Sequence, residues 1–348
     1  MIASGMFFNL FNAVKQWYVK VLFSLGVRCA KGKGVPQDYN EAIIWYRRAA
    51  ERGHVGAQLN LGTMYYLGRG SLQDYREAEH WWRKAAEQGR IAAQFNIGLM
   101  YDRGEGVPQD DNEAVTWYRK AAINGHVNAQ LMLGLMYEQG RGVYQDYNEA
   151  VRWFRKAAKR GNPGAHFNLG VMYSEGRCVP KDDKRAVMCF RKAAKQGHPE
   201  AQFNLGVMYN EGQGVSQNDR KAVKWFRRAA EREDVYGQKF LESMYKDGRG
   251  VPKDLRKAIK WHFLAAELGD VAAKELLEMM YKDGRGVPND DVQAHSLKSC
   301  SAARGQRCLQ KSRTCREYSQ RPNCPNRRNS AEQGINHQGI NPMVERSG

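Results

Sequence analysis

The chain has 348 residues, is 42% hydrophobic and 11% aromatic, and carries a formal net charge of +18 at pH 7. So much apolar and aromatic material excludes a disordered chain, while the positive excess raises anionic partners as a class to be weighed. Seven cysteines (Cys29, Cys178, Cys189, Cys300, Cys308, Cys315 and Cys324) are odd in number and irregularly spaced, which speaks against a disulfide framework. The last four lack the close Cys pair of a tetrahedral zinc site, so no metal is expected, and free thiols in a reducing cytoplasmic compartment are.

The opening stretch, MIASGMFFNLFNAVKQWYVKVLFSLG, sets Phe7, Leu10, Phe11, Val14, Trp17, Tyr18, Val21 and Leu25 at helical spacing. Lys15 and Lys20 interrupt it, which excludes a membrane span of about 20 apolar residues. It also lacks the basic start and small-residue cleavage site of a signal peptide. The expectation is a capping helix over residues 1–20 that covers the first unit of a repeat array.

From residue 21 the chain repeats itself. The Tyr of a Met-Tyr step returns at Tyr65, Tyr101, Tyr137, Tyr173, Tyr209, Tyr245 and Tyr281, always 36 residues apart. A degenerate unit at 21–56 precedes seven units over 57–308. Each unit reads as two helices. Helix A is typified by Ala57, Leu61, Met64 and Tyr65 on one face, and it ends in a glycine-containing turn such as GRG or GEG. A Val-Pro-Gln-Asp connection then keeps the chain extended into helix B.

Helix B opens on an Asp with a Glu three residues later: Asp38 and Glu41, Asp74 and Glu77, Asp110 and Glu113, Asp146 and Glu149. This is the spacing of a capping box, in which the Asp accepts from free N–H groups and the Glu reaches back to the cap residue. The acidic columns are therefore helix starts rather than a catalytic array. The box fails at Asp182 with Arg185, Asn218 with Lys221 and Asp254 with Lys257, and returns as Asp290 with Gln293. A cation there opposes the helix dipole and should weaken each start by about 0.5–1 kcal/mol.

Along helix B, Ala42, Trp45, Tyr46, Ala49 and Ala50 form the inward stripe, repeated as Ala114, Trp117, Tyr118, Ala121 and Ala122. On helix A, Gly62, Gly98, Gly134, Gly170 and Gly206 allow close approach of the neighbouring helix. Glu242 and Glu278 replace that glycine in the next two units, so packing there should be looser or rearranged. In the last helix B, Leu297 stands where Trp117 would.

The motifs A-Q-x-x-L-G-x-M-Y, G-x-G-V-P-Q-D-Y and E-A-x-x-W-Y-R-K-A-A, closely matched over Ala129 to Ala158, resemble the Sel-one-like repeat family, a relative of the tetratricopeptide repeats. The resemblance covers about Val21 to Cys308. It implies an all-α fold, a right-handed α-solenoid of about eight helix-turn-helix repeats, acting as a non-enzymatic adaptor that binds a peptide or protein on its inner groove. The cysteine-rich branch of the family is not matched, because no cysteine recurs with the period.

At about 100° per residue from Ala57, the polar-tolerant sector of helix A includes Asn60, Asn96, Asn168 and Asn204. In related tetratricopeptide helices this face lines the groove, so these four Asn are the candidate hydrogen-bonding ladder for an extended peptide, flanked by Arg103, Gln139, Glu175 and Glu211. An amide suits an alternative task equally well, bracing the adjoining repeat. Gln58, Gln94, Gln130, Gln202 and Gln238 point toward a neighbour and are read as satisfying loop carbonyls.

The basic pairs late in helix B, from Arg47-Arg48 through Arg83-Lys84, Arg119-Lys120, Arg155-Lys156 and Arg191-Lys192 to Arg227-Arg228, complement the helix dipole on a solvated outer face. A track for phosphates or anionic lipid is the alternative. The tail 309–348 holds seven basic and three acidic residues without helical periodicity and reads as flexible.

Chemistry finds little support. Ser243-Met-Tyr-Lys246 matches S-x-x-K, the nucleophile step of penicillin-binding enzymes, but lacks the companion motifs. His54, His126 and His198 recur every second unit, too far apart to share a metal. The GRG and GEG turns come after helices rather than strands, so they are no phosphate loop. The expected protein is a monomeric scaffold for a protein or peptide ligand, without cofactor, nucleic acid or membrane as partner. A basic surface and tail binding nucleic acid or anionic membrane, and a serine hydrolase built on Ser243, are the other readings.

Overall fold

The computed structural model describes residues 2–271, 273 and 275. The chain is an all-α solenoid of helix pairs, with fourteen helices and no strand among the described residues. In order these are α1 (Ile2–Lys31), α2 (Tyr39–Ala50), α3 (Val55–Leu67), α4 (Tyr75–Glu87), α5 (Ile91–Arg103), α6 (Asp111–Ile123) and α7 (Val127–Gln139). They continue as α8 (Tyr147–Lys159), α9 (Pro163–Glu175), α10 (Asp183–Lys195), α11 (Pro199–Glu211), α12 (Asp219–Ala230), α13 (Val235–Asp247) and α14 (Leu255–Glu267). From α3 onward odd helices are the expected helices A and even ones helices B. The helices divide into two units, one running to Ala165 and one starting at His166, with the boundary inside α9.

Within each unit, helices adjacent in sequence pack on each other. The contact inside the A–B pairs before α13 is a glycine against a ring. A Cβ added at Gly62 would stand 2.6 Å from Trp82, at Gly98 2.6 Å from Tyr118 and at Gly134 2.6 Å from Phe154. The second unit repeats this at Gly170 with Phe190 and Gly206 with Phe226. The rings of Trp82, Tyr118, Phe154 and Phe226 are wholly buried, so any side chain in place of the glycine would push two helices apart.

Helix A stops where Gly104 turns left-handed (φ 67°), a conformation that a Cβ resists. The chain then closes back through a backbone bond: the N–H of Asp74 donates to the Tyr65 carbonyl, Asp110 to Tyr101, and Asp146 to Tyr137, each at 2.9–3.0 Å. This corrects the capping-box expectation. The cap residue's own N–H is already taken, so the Glu does not reach back to it. Glu41 and Glu77 instead accept from the indole N–H of Trp45 and Trp81, at 3.2 and 2.9 Å. The other half of the box holds: Asp38, Asp74, Asp110 and Asp146 each accept from two backbone N–H groups.

At the N-terminus, no break occurs near residue 20. α1 runs unbroken through Lys31, so the expected capping segment and the first helix A are one helix. Its second half supplies Val19, Leu22, Val27 and Cys29 to the core, while Phe11, Val14, Trp17 and Tyr18 are exposed. The expected last repeat, with Glu278, the Asp290–Gln293 start and Leu297, lies outside the described residues, as do Tyr281, Cys300, Cys308, Cys315, Cys324 and the tail 309–348. Cys29, Cys178 and Cys189 are free thiols.

Candidate functional site

Four candidate residues belong to the first unit. Asn60 on α3 and Asn96 on α5 are buried, at 2% and 0% exposure. Arg103, at the end of α5, is half-buried, and Gln139, closing α7, is exposed. Arg103 donates to the Tyr66 hydroxyl at 3.2 Å, and that hydroxyl donates to Glu105. Burial, and then the Glu105 bond, push the Tyr66 phenol well above its usual range, so it stays a donor.

The other four belong to the second unit. Asn168 on α9 and Asn204 on α11 are half-exposed, and neither side chain hydrogen-bonds to another described residue. Glu175 and Glu211 are exposed at the ends of those helices, where Glu175 pairs with Arg177 at 2.5 Å and Glu211 accepts from Gln213 at 2.7 Å.

The glutamine column has a clear task. Gln58, Gln94, Gln130, Gln202 and Gln238 donate to the carbonyls of Ala50, Ala86, Ala122, Ala194 and Ala230 at 3.0–3.4 Å. Each thereby adds a second bond to a carbonyl at the end of the preceding helix B that already accepts from a turn N–H, and joins one repeat to the next.

The histidines are equally structural. His54 and His126 begin helices A, where Nδ1 accepts from Ala57 and Ala129 at 3.1 Å, and their rings stack on Phe23 and Phe95 at 4.3 Å. Burial, with Arg160 nearby, lowers the His126 pKa to about 4, which keeps Nδ1 free to accept. Ser243 is exposed on α13 and donates to Asp247 at 3.2 Å, a contact within one helix turn. Among the described residues no cluster of three metal-ligating side chains exists, and no helix is long and apolar enough to cross a membrane.

Three arrangements escaped the reading of the sequence. In five of the six basic pairs the first Arg is a staple to the next repeat: Arg47 donates to the Tyr65 hydroxyl, Arg83 to Tyr101 at 3.2 Å, Arg119 to Tyr137 at 2.9 Å, Arg191 to Tyr209 at 3.1 Å and Arg227 to Tyr245 at 2.7 Å. The second cation lies over a tryptophan one turn earlier, as Lys120 does over Trp117 and Lys156 over Trp153, both at 4.0 Å. The constant 18-residue separation of Arg from Tyr was the available signal for the staple.

The second arrangement is a network in the first unit. Arg141 bonds Asp102 and Asp111, both at 2.6 Å, and Asp102 accepts from Tyr118 at 3.0 Å. The third is in α13 and α14, where Glu242 replaces the glycine and His262 replaces the ring in the same repeat. Nδ1 of His262 lies 2.7 Å from Glu242 and Nε2 lies 2.9 Å from the Ala273 carbonyl. Both partners can accept, an arrangement that favours the doubly protonated imidazole, and the Glu242 bond raises its pKa.

Stacked pairs of antiparallel helices, joined by regular staples and devoid of a catalytic constellation in the described residues, define a helical repeat protein. The chain belongs to the Sel1 repeat family, whose model matches residues 19–54, 55–89, 91–126, 127–162, 163–198, 199–234, 237–270 and 273–305. Proteins of this family are generally non-enzymatic scaffolds for protein interactions. A Sel1 repeat protein from Oxalobacter formigenes is 37% identical, with 75% of this chain and 76% of that one covered and a TM-score of 0.66. The protective antigen c5321 of uropathogenic Escherichia coli, described as displaying an SLR fold, is 33% identical over 83% of this chain and 78% of that one, with a TM-score of 0.46. No curated protein matches the chain.

Proposed function

We propose that this chain is a monomeric adaptor that captures an extended peptide or protein segment on the face lined by helices A, without cofactor or covalent chemistry. In the second unit Asn168 and Asn204 are the rungs, and Glu175 and Glu211 flank them. In the first unit Asn60 and Asn96 stand at the corresponding helix positions but are buried, so the exposed candidates there are Arg103 and Gln139 at the helix ends. The observation that carries this reading is the state of Asn168 and Asn204: half-exposed amides one repeat apart, making no hydrogen bond to another described residue. An amide with both donors and acceptors open matches the alternating groups of an extended backbone.

The test uses peptides selected on the full chain from a displayed random library. Asn168→Ala with Asn204→Ala should weaken such peptides about tenfold or more, from two lost hydrogen bonds, while the melting temperature moves by less than about 2 °C. Unchanged affinity, or a fall in melting temperature of about 5 °C or more, would assign these amides to bracing between repeats instead.

A further inference from the structure

The polar face of helix B changes sign along the chain. At the second, third and sixth helical positions the first four helices B carry Asn40, Glu41 and Ile44; Arg76, Glu77 and His80; Asn112, Glu113 and Thr116; Asn148, Glu149 and Arg152. α10, α12 and α14 carry Lys184, Arg185 and Met188; Arg220, Lys221 and Lys224; Arg256, Lys257 and Lys260. Eight of these last nine positions are cationic. Two of the columns lie in the first turn, where a cation opposes the helix dipole, so folding does not account for their presence. All eight are exposed, and Lys184, Arg220, Lys224, Arg256 and Lys260 form no ion pair with another described residue.

The face is also concave at one point. Arg220, Lys224, Arg227 and Arg228 line a cleft of about 520 Å³ beside the turn at Val251, with Glu231 as the only carboxylate in its lining. The aromatic rings nearest these cations are already covered: Lys221 lies over Tyr209 at 5.3 Å, Lys257 over Tyr245 at 5.6 Å, and Arg228 over Trp225 at 4.9 Å. A single-stranded nucleic acid needs open rings on which to stack its bases, and these are not open. A carboxylate on a flexible chain needs none. It can enter the cleft beside Arg220 and Lys224.

From this we infer a second interaction surface, on the exposed face of α10, α12 and α14, that takes an acidic segment of a partner protein. It is independent of the helix-A face and persists if that reading fails.

The experiment compares full-length wild type with Lys184→Glu/Arg220→Glu/Arg256→Glu. A Glu at these first-turn positions favours the helix, so the variant should melt no lower than wild type and any lost binding is not lost folding. A control of equal charge change, Lys20→Glu/Arg76→Glu/Lys159→Glu, alters cations of the first unit. The probes are a labelled peptide of alternating Glu and Ser, single- and double-stranded DNA of the same charge, and vesicles of phosphatidylcholine with phosphatidylserine, all at about 0.15 M salt where long-range attraction is screened.

The expected result is that the second-unit variant binds the acidic peptide about tenfold or more weakly, the control within about threefold of wild type, with DNA and vesicles bound more weakly than the peptide. Equal losses in both variants would reduce the effect to net charge and overturn the inference. Tighter binding of DNA or vesicles than of peptide would overturn it in favour of that partner.

Discussion

The two units solve the same packing problem with different chemistry. In the first, every A–B contact described is a glycine against an aromatic ring, and every helix B starts on an Asp that accepts two backbone N–H groups. In the second, the starts accept only one: Asp182 from Arg185, Asn218 from Lys221, and Asp254 from Lys257. Its last described pair exchanges glycine and ring for Glu242 and His262. The shared geometry comes from the repeat; the differences are cations where the first unit has Glu at the helix start, and a carboxylate–imidazole pair where it has glycine and ring. A repeat tolerates this because each pair is held mainly by its neighbours, so a local substitution is not transmitted along the array.

The sharpest way to break the comparison is to convert the second unit's end into the first unit's design. Glu242→Gly alone removes the carboxylate and leaves a half-paired imidazolium; His262→Phe alone sets a ring against a carboxylate with no partner. Each should destabilise by about 2–3 kcal/mol, less than for a fully buried pair because Glu242 is partly exposed. The double change rebuilds the glycine–ring contact and should return to within about 1 kcal/mol of wild type, a coupling that urea unfolding would read. Additive losses would mean that the pair does not replace the glycine–ring contact.

pH separates the units next. The lowered pKa of His126, about 4, means that the neutral form is the folded one. Its contribution is complete above the unfolded value near 6.5 and is lost as pH falls toward 4, on the order of 3 kcal/mol. His262 has the opposite sign. Its raised pKa gives a contribution complete below the unfolded value and lost as pH rises through the folded one. His126→Asn should keep the cap, since Asn162 makes the equivalent bond to Ala165 at 2.9 Å, yet flatten the acid limb of a melting profile. His262→Phe combined with Glu242→Gly should flatten the neutral-to-basic limb. Identical pH profiles for all three proteins would contradict both assignments.

The legibility of each feature in the sequence depends on the range of the contacts that make it. The individual helices and their caps are local, with donors and acceptors within four residues, and the helix pairs return with a fixed period, so the sequence reveals them. The Arg–Tyr staple spans repeats but keeps a fixed offset, so the sequence displays it too. The candidate face is different. A helical-wheel angle locates the sector of Asn60, Asn96, Asn168 and Asn204 but not its depth, and two of these are buried while two are half-exposed. Depth depends on neighbours that no angle encodes. The Glu–His pair was half visible: Glu242 stood out as a broken glycine, but only its distance to His262 makes the two one substitution.

The smallest effect tests the helix starts. Asp110 accepts from Asn112 and Glu113 at 2.9 and 3.1 Å, and Asp182 accepts only from Arg185, at 2.9 Å. Asp182 also holds the Arg185 guanidinium at 3.2 Å, but that pair is exposed and adds only a few tenths of a kcal/mol. Asp110→Ala should therefore cost about 1–2 kcal/mol and Asp182→Ala about 0.5–1 kcal/mol. Arg185→Glu should gain about 0.5 kcal/mol, because it removes a cation from the positive end of the helix dipole. Thermal unfolding with hydrogen exchange at the first turn of α6 and α10 resolves the difference. If both alanine variants lost the same amount, the second backbone bond in the first unit would carry no weight, and the cations of the second unit would be no burden on their helices.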